Sequence, residues 1–392
     1  MLRVALPETR YSPPRAGLAL SALLALLAAT PPVAEPAEPS GPPEREEHHP
    51  GIHGGDQQPR VRTYYVAADE VDWDYTPHGR NLTKTPSPGG EAAPAAHVYR
   101  KAIYREYNDA TFTGLKERPP AWEHLGILGP LLRAEVGDVI QVFFKNNTKL
   151  MVTMHPHGLQ YEKNSEGALY DDGTSGADKK DDAVPPGGTY TYRWSVPERS
   201  GPGPHDPSSI VWMYHSHFFE PRDMNTGLIG PIIVTRRGSA RPDGTPKDVD
   251  REFITDFAIF DETESWYFEA NTMGQQRYSP VLRAIDPALR LRNLFYSING
   301  LIEGNLPMLT MKRGERVRWY FLTNDNEDDL HTPHWHGVTA IMNHMRTDTI
   351  SLTPMSMAVA DMVPDNVGIW LFHCHVNEHF QGGMVARFTV LP

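Results

Sequence analysis

The sequence predicts an all-β chain of two tandem Greek-key β-sandwiches, and three observations carry that prediction. Thirty-six prolines and thirty-two glycines break 392 residues into short pieces. Between the breaks stand alternating or apolar runs rich in Val, Thr, Tyr and Phe, the residues that favour strands. One order of segments also occurs twice, as in an internal duplication.

From the N-terminus, Arg3, Arg10 and Arg15 precede an apolar stretch from Ala16 to Ala29, and small residues and prolines follow it. This is the layout of a secretory signal peptide, expected over 1–34, and it is short for a membrane span. Export to the periplasm or the extracellular space is therefore expected, with no membrane span in the mature chain. Residues 35–61, rich in Pro, Gly, Glu and His, read as a disordered linker. His48, His49 and His53 fall within it and read as a polar tail.

The first sandwich is expected over 62–238. It runs through the strand Val139–Phe144, then His155-Pro156-His157-Gly158, then Tyr214-His215-Ser216-His217, and closes on Gly227–Val234. Residues 239–250, with two prolines and several charges, form the bridge. The second sandwich, 251–392, repeats the plan with Val317–Leu322, His334-Trp335-His336-Gly337, Phe372-His373-Cys374-His375 and Gly382–Val390. A net charge of −12 argues against nucleic-acid binding and mildly favours cationic substrates.

Cys374 is the only cysteine. In an exported chain it lacks a disulfide partner, and a metal-bound thiolate avoids the liability of a free one. With His379 and Met384 close behind, the thiolate, imidazole and thioether are the ingredients of a mononuclear blue copper centre. On a strand, residues two apart share a face and neighbours oppose. His373 and His375 therefore face one way and Cys374 the other. By the same parity His334 and His336 share a face, and His331 opposes them and can join Cys374. In the first copy His155 and His157 share a face, as do His215 and His217. The thiolate site is absent there: Ser216, Val152, Pro221 and Thr226 stand where Cys374, His331, His379 and Met384 stand. Four outward imidazoles from each copy make eight, enough for a three-copper cluster at a domain boundary.

These four elements resemble the signature of the multicopper oxidases: His-X-His-Gly, His-X-His, His-X-X-His-X-His and His-Cys-His-X3-His-X4-Met. The second domain is similar to the C-terminal domain of two-domain bacterial laccases, including Asp361–Asn366. The first resembles ceruloplasmin and the A domains of coagulation factors at Thr63–Tyr65, Val71–Tyr75, Leu125–Pro130 and Pro186–Tyr192. The resemblance implies cupredoxin-like domains and four coppers per chain. Type 1 copper would take His331, Cys374, His379 and axial Met384. Type 2 would take His155 and His334. The type 3 pair would take His157, His215, His217, His336, His373 and His375. It further implies a homotrimer with clusters between neighbouring chains, as a closed ring satisfies every ligand face.

The expected activity is laccase-like: one-electron oxidation of phenols or aromatic amines at the type 1 site, and reduction of dioxygen to water at the cluster. Fe(II) or Cu(I) is the alternative substrate. A copper nitrite reductase and a non-catalytic copper scaffold are the lesser readings, because the first copy lacks every blue-site ligand and the cluster histidines are all retained. Substrate is expected at His331, next to the acidic run Asp325–Asp329. Met342, Met345, Met355 and Met357 offer soft ligands to cuprous ion, although methionines in sandwiches more often fill cores. Glu378 and Asp172, with Asp171 as the rival of the latter, are expected to supply protons. Lys163, Glu166, Asp178, Asp181 and Asp182 resemble the calcium loop of ceruloplasmin, since carboxylates with a backbone carbonyl suit a hard cation.

Overall fold

Two pairs of β-sheets make up the computed structural model, which describes residues 59–84, 97–272, 287–324 and 329–392. The leader and nearly all of the linker lie outside these residues, as do Asp325–Asp328. The first pair holds β1 (Val61–Asp74), β2 (Val98–Tyr107), β4 (Val139–Asn146) and β6 (Thr189–Ser195) in the order β2-β1-β4-β6. It faces a sheet of β3 (Leu132–Glu135), β5 (His155–Pro156), β7 (Ser209–His215) and β8 (Ile229–Thr235) in the order β3-β8-β7-β5. The second pair begins with β9 (Arg251–Asp261), β10 (Leu294–Ile298), β12 (Val317–Thr323), β14 (Ala340–Met342), β15 (Met345–Thr347) and β16 (Met357–Met362) in one six-stranded sheet. Its partner sheet holds β11 (Leu309–Lys312), β13 (Pro333–Trp335), β17 (Gly368–Cys374) and β18 (Val385–Leu391) in the order β11-β18-β17-β13.

The duplication holds down to the register. β1 runs parallel to β4 as β9 does to β12, and β3 to β8 as β11 does to β18. His155 pairs across from His215 on β5 and β7, and His334 pairs across from His373 on β13 and β17. Short helices follow the histidine strands in both halves: α1 (Glu220–Thr226) and, after α2 (Phe268–Thr272) and α3 (Pro287–Leu291), α4 (Asn377–Gln381). The bridge is not extended. Residues 239–250 fold back on themselves, with Arg241 donating to the carbonyls of Pro246 and Val249.

Continuous apolar runs on β8 and β12 have a packing reason. Every residue of both strands is buried, because each strand serves two interfaces. On β12, Val317, Trp319 and Phe321 enter the core of their own sandwich, with Phe257, Trp335 and Phe372. Tyr320 and Leu322 point the other way, onto Val211, Met213 and Ile233 of the first half. A strand covered on both faces has no need of polar alternation. A second apolar seam joins Tyr75, Ile103 and Ile127 to Phe260, Phe295 and Ile302. Beside it lies a fully buried ion pair, Lys101 with Glu262, completed by Tyr75 Oη at 3.0 Å and the Asn225 carbonyl at 2.7 Å from Lys101 Nζ. His124 ties the same seam. Its Nδ1–H donates to Ala121 O at 3.1 Å, and its Nε2 accepts the Ile254 N–H at 3.2 Å.

Candidate metal centres

Cys374 ends β17 fully buried, as the core parity of that strand requires. His331 Nδ1 lies 3.9 Å and His379 Nδ1 3.5 Å from its sulfur, and the three form one ligand-type group. A trigonal ion with sulfur at about 2.3 Å and nitrogens at about 2.0 Å would set each S···N separation near 3.7 Å. The donor set therefore fits a copper ion without rearrangement. Met384 is buried in the same core cluster and is tied in by its backbone: its carbonyl accepts the Cys374 N–H at 3.1 Å, and its N–H donates to His379 O. The Thr332 N–H donates to the sulfur at 3.3 Å. Burial pushes the Cys374 thiol up, but hydrogen bonds with His331 and His379 and from the Thr332 N–H take it down to about 6. A thiolate is thus ready at neutral pH.

His379 sits on α4, with the helix closed by Gly382, and one expectation about this group is corrected. His331 is not the exposed edge: it is wholly buried, paired through its backbone to Leu352 and flanked by the Phe257 ring. His379 is nearly as buried, and it is the imidazole that a residue of a cavity wall reaches. Its Nε2 faces Asp329 at 3.7 Å, and the Tyr296 ring lies 5.3 Å from its own. Beyond them is a cavity of about 450 Å³ lined by Tyr296, Asp329, Glu378, Asp261, Glu264 and Arg290, among others. Four carboxylates face one guanidinium, which is itself paired with Asp261.

The remaining eight histidines fall into two sets of the same design. His155, His157, His215 and His217 stand with ring centroids 5.1–5.6 Å apart, as do His334, His336, His373 and His375. His157 and His215 place their Nε2 atoms 3.0 Å apart, and His336 and His373 theirs 3.1 Å apart. Backbone carbonyls fix the tautomers. His155 Nδ1–H donates to Glu166 O at 2.7 Å and His334 Nδ1–H to Asp348 O at 2.8 Å. His215 and His373 donate to the carbonyls of Ser216 and Cys374. A carbonyl accepts only, so in these four rings Nε2 is the free lone pair, as a metal ligand needs. Burial first, and neighbouring imidazoles after it, lower the basicity of His155, His157, His215, His336 and His373, with His157 at about 4. Neutral, ligating imidazoles result. No imidazole of one set stacks on or bonds to one of the other among the described residues.

The glycine after each His-X-His has a physical reason. Gly158 (φ +71°) and Gly337 (φ +73°) are left-handed, and an added Cβ would stand 2.2 Å from the Trp212 ring or 2.9 Å from the Trp370 ring.

The expected proton carriers do not touch the imidazoles. Asp172 Oδ2 is 2.8 Å from Lys163 Nζ and its Oδ1 2.7 Å from Lys179 Nζ, and these lysines hold its carboxyl well below the usual range. Glu378 accepts the Tyr296 hydroxyl at 3.1 Å, on the His379 side. Carboxylates that do reach the histidines escaped the sequence reading. Glu220 lies 3.5 Å from His217 Nε2, and Asp348 3.9 Å from His334 Nδ1. Glu220 is three residues after His217 and opens the helix that follows it, and this closeness in sequence is the signal that was available. In the expected calcium loop, Lys163 also pairs with Glu166 and Lys179 with Asp182, while Asp181 accepts the Gly167 N–H. Asp178 joins none of these ion pairs among the described residues. A calcium ion here would have to displace two ammonium groups from the same carboxylates.

Two family profiles, both described as Multicopper oxidase, match residues 107–239 and 275–392. Hephaestin of Rattus norvegicus is 40% identical over 342 residues, covering 84% of this chain and 29% of that protein. A ferroxidase of Homo sapiens is 40% identical over 341 residues, with the same coverage. Human ceruloplasmin is 37% identical over 351 residues, covering 84% of this chain and 32% of its own length. The chain thus spans about a third of the length of the curated relatives it matches. Among solved structures, a multicopper oxidase superposes with a TM-score of 0.54 at 19% identity, covering 85% of this chain and 93% of that one. The copper nitrite reductase of Nitrosomonas europaea superposes at 0.55 and 17% identity, covering 84% and 94%. These two likenesses are of fold, and the fold is cupredoxin-like.

Proposed function

We propose that this chain, which belongs to the multicopper oxidase family, oxidises a small reducing cation, Fe(II) before Cu(I), and passes the electrons to dioxygen. One observation carries the proposal: Cys374, in bonding range of two imidazoles through an ion, is flanked in the chain by His373 and His375 of the second imidazole set. Copper, when bound, supplies one-electron oxidation at His331, Cys374, His379 and Met384, and four-electron reduction of dioxygen to water at the eight imidazoles. The backbone of residues 373–375 joins the two. The resemblance gives His155 and His334 the type 2 role and the other six the type 3 pair, and His155, His215, His334 and His373 each have Nδ1 committed to a carbonyl, which leaves Nε2 to the metal. Glu220 and Asp348 are placed to hand on protons.

The preference for a cation rests on the cavity beside His379. Asp329 and Glu378 there would draw a divalent ion, and Asp329, which lies 3.7 Å from His379 Nε2, links that ion to the buried imidazole. The ferroxidase names of the relatives support the same reading. Phenols and aromatic amines are the second reading, favoured by the Tyr296 ring in that wall. Because the two imidazole sets stay apart within the chain, each closes against the complementary set of another copy, and a homotrimeric ring is the proposed form. Export follows from the leader; among the described residues no helix is long and apolar enough to cross a membrane.

The test is oxygen uptake by copper-loaded protein with Fe(II), Cu(I) and a dimethoxyphenol in parallel, and Cys374→Ser as control. Uptake fastest with Fe(II) and absent in the variant is expected. Uptake that survives Cys374→Ser overturns the oxidase reading, and a ranking led by the phenol overturns the substrate.

A further inference from the structure

A second cavity, of about 590 Å³, opens between the two sandwiches. Its wall includes His205 of the first half and Met342, His344 and Met357 of the second. Two imidazoles and two thioethers thus share one wall, on residues that neither the thiolate group nor the imidazole sets use.

The two imidazoles are held ready. His205 sits in a loop that Arg236 fastens by donating to Gly203 O at 2.9 Å and Asp206 O at 3.1 Å. Asp206 turns its own carboxylate back onto the Gly203 N–H at 2.8 Å, which closes the loop. His344 lies at the tip of the β14–β15 hairpin, where Met342 pairs with Met345 and the two-residue turn is Asn343-His344. Both turn residues are left-handed, with φ of 49° and 62°. Such a turn favours Asn-Gly. A histidine in the glycine position is strained there, and its imidazole lies in the cavity wall. The His205 and His344 rings stand 5.9 Å apart, edge to face. Within the two imidazole sets the corresponding separations reach 5.6 Å. The pair across the cavity is thus only slightly wider than neighbouring rings within either imidazole set.

We propose that this cleft is a binding site for a cuprous ion, held by the imidazoles of His205 and His344 and by thioether sulfur from Met342 or Met357. The thioethers decide the metal. Soft sulfur ligands select Cu(I), whereas zinc and cupric ion favour imidazole and oxygen. The carboxylate closest in the wall, Asp206, is turned away. The site goes beyond the oxidase reading and does not depend on it. It lies on exposed turns, and His205 and His344 make no contact with the thiolate group or either imidazole set among the described residues.

The test is a cuprous titration of fully reduced, copper-loaded protein under nitrogen, in competition with a chromogenic cuprous chelator. One equivalent beyond the resident copper is expected. His205→Ala and His344→Asn, the latter keeping a residue that tolerates the left-handed turn, should each weaken that equivalent at least tenfold while the resident copper and the blue absorbance of the reoxidised protein stay unchanged. X-ray absorption of the added copper should show sulfur scattering that disappears in the Met342→Leu, Met357→Leu double variant. No added equivalent, an equivalent untouched by both histidine variants, or a shell of nitrogen and oxygen alone would each overturn the proposal. Since nothing turns over in this assay, its failure leaves the oxidase reading standing, and an inactive oxidase leaves this site standing.

Discussion

If each three-copper cluster joins two chains, activity lost in two different ways should return on mixing. His157→Ala spoils the first imidazole set and leaves His334, His336, His373 and His375 intact. His336→Ala does the reverse. Either variant alone has no complete pairing of sets and should be inactive. In rings assembled from equal amounts of both, a working junction needs a His336→Ala chain on its first-set side and a His157→Ala chain on its second-set side. The chance is one half times one half, so about a quarter of the parent turnover should return. The assay is oxygen uptake after unfolding and co-refolding with copper, compared with each variant refolded alone. A further variant identifies the electron entry. The restored junction takes its second set from the His157→Ala chain, so Cys374→Ser added to that chain should abolish the rescue. Added to the His336→Ala chain it should have no effect. If mixing restores nothing while the parent refolds in full, the sets pair within one chain and the ring is refuted.

The cavity carboxylates predict a split between substrates: Glu378→Gln with Asp329→Asn should raise KM for Fe(II) about tenfold, as the loss of two charges near the bound ion requires, and leave KM for a phenol within twofold; equal changes for both would remove the cation site. At the seam, Lys101→Met strands the buried Glu262 carboxylate and should cost about 3–5 kcal/mol in urea unfolding, most of it recovered by adding Glu262→Leu; a single variant as stable as the parent refutes the pairing. His124 gives a pH dependence. Burial, aided by Arg118, depresses its basicity to about 4 from an ordinary 6.5, so below pH 6.5 the unfolded chain takes up the proton and the folded chain does not. Stability falls as pH drops from about 6.5 to 4, by about 3 kcal/mol in all, and levels off below; His124→Gln should flatten that window, and an unchanged slope would place the titration elsewhere. Last, Gly158→Ala should lower the unfolding midpoint further than Gly337→Ala, since its Cβ would stand closer to a tryptophan ring; the reverse order counts against the packing argument.

What was legible in the sequence was local in range. Strand parity over three residues separated Cys374 from His373 and His375, and His331 from His334 and His336, because the period of two operates without knowledge of the rest of the fold. The duplicated order of segments likewise carried the two-sandwich plan, while the sheet pairing, His155 opposite His215 and His334 opposite His373, came only with the fold. Environment was not legible. His331 stood next to an acidic run and read as an edge, but Leu352 and Phe257, distant in sequence, enclose it. Tyr296 reaches His379 from a separate strand. Asp172 read as a proton carrier because nothing local revealed that Lys163 and Lys179 would claim it. Carboxylates and exposed edges are assigned by tertiary packing, and one chain without its fold does not contain that information.

The first half shows what becomes of a blue centre without its ligands. Ser216 takes the place of Cys374, and its hydroxyl donates to Asp223 at 2.7 Å. The same carboxylate accepts the N–H groups of Phe218 and Phe219 at 3.0 and 2.9 Å, and its second oxygen accepts Trp266 Nε1 at 2.8 Å. Trp266 belongs to the second half. Residues where a metal would have sat therefore bind the other sandwich instead, and Val152 and Thr226, fully buried, fill the rest of the space. Under the proposed function, a single redox entry per chain is the consequence. With a thiolate in each half, electrons would reach every cluster from both of its chains. With Ser216 bonded to Asp223, each cluster of the proposed ring would draw electrons only from the chain that supplies His373 and His375, and the first half would contribute ligands and a rigid seam. The asymmetry expected on mixing Cys374→Ser into one chain or the other follows from this one substitution.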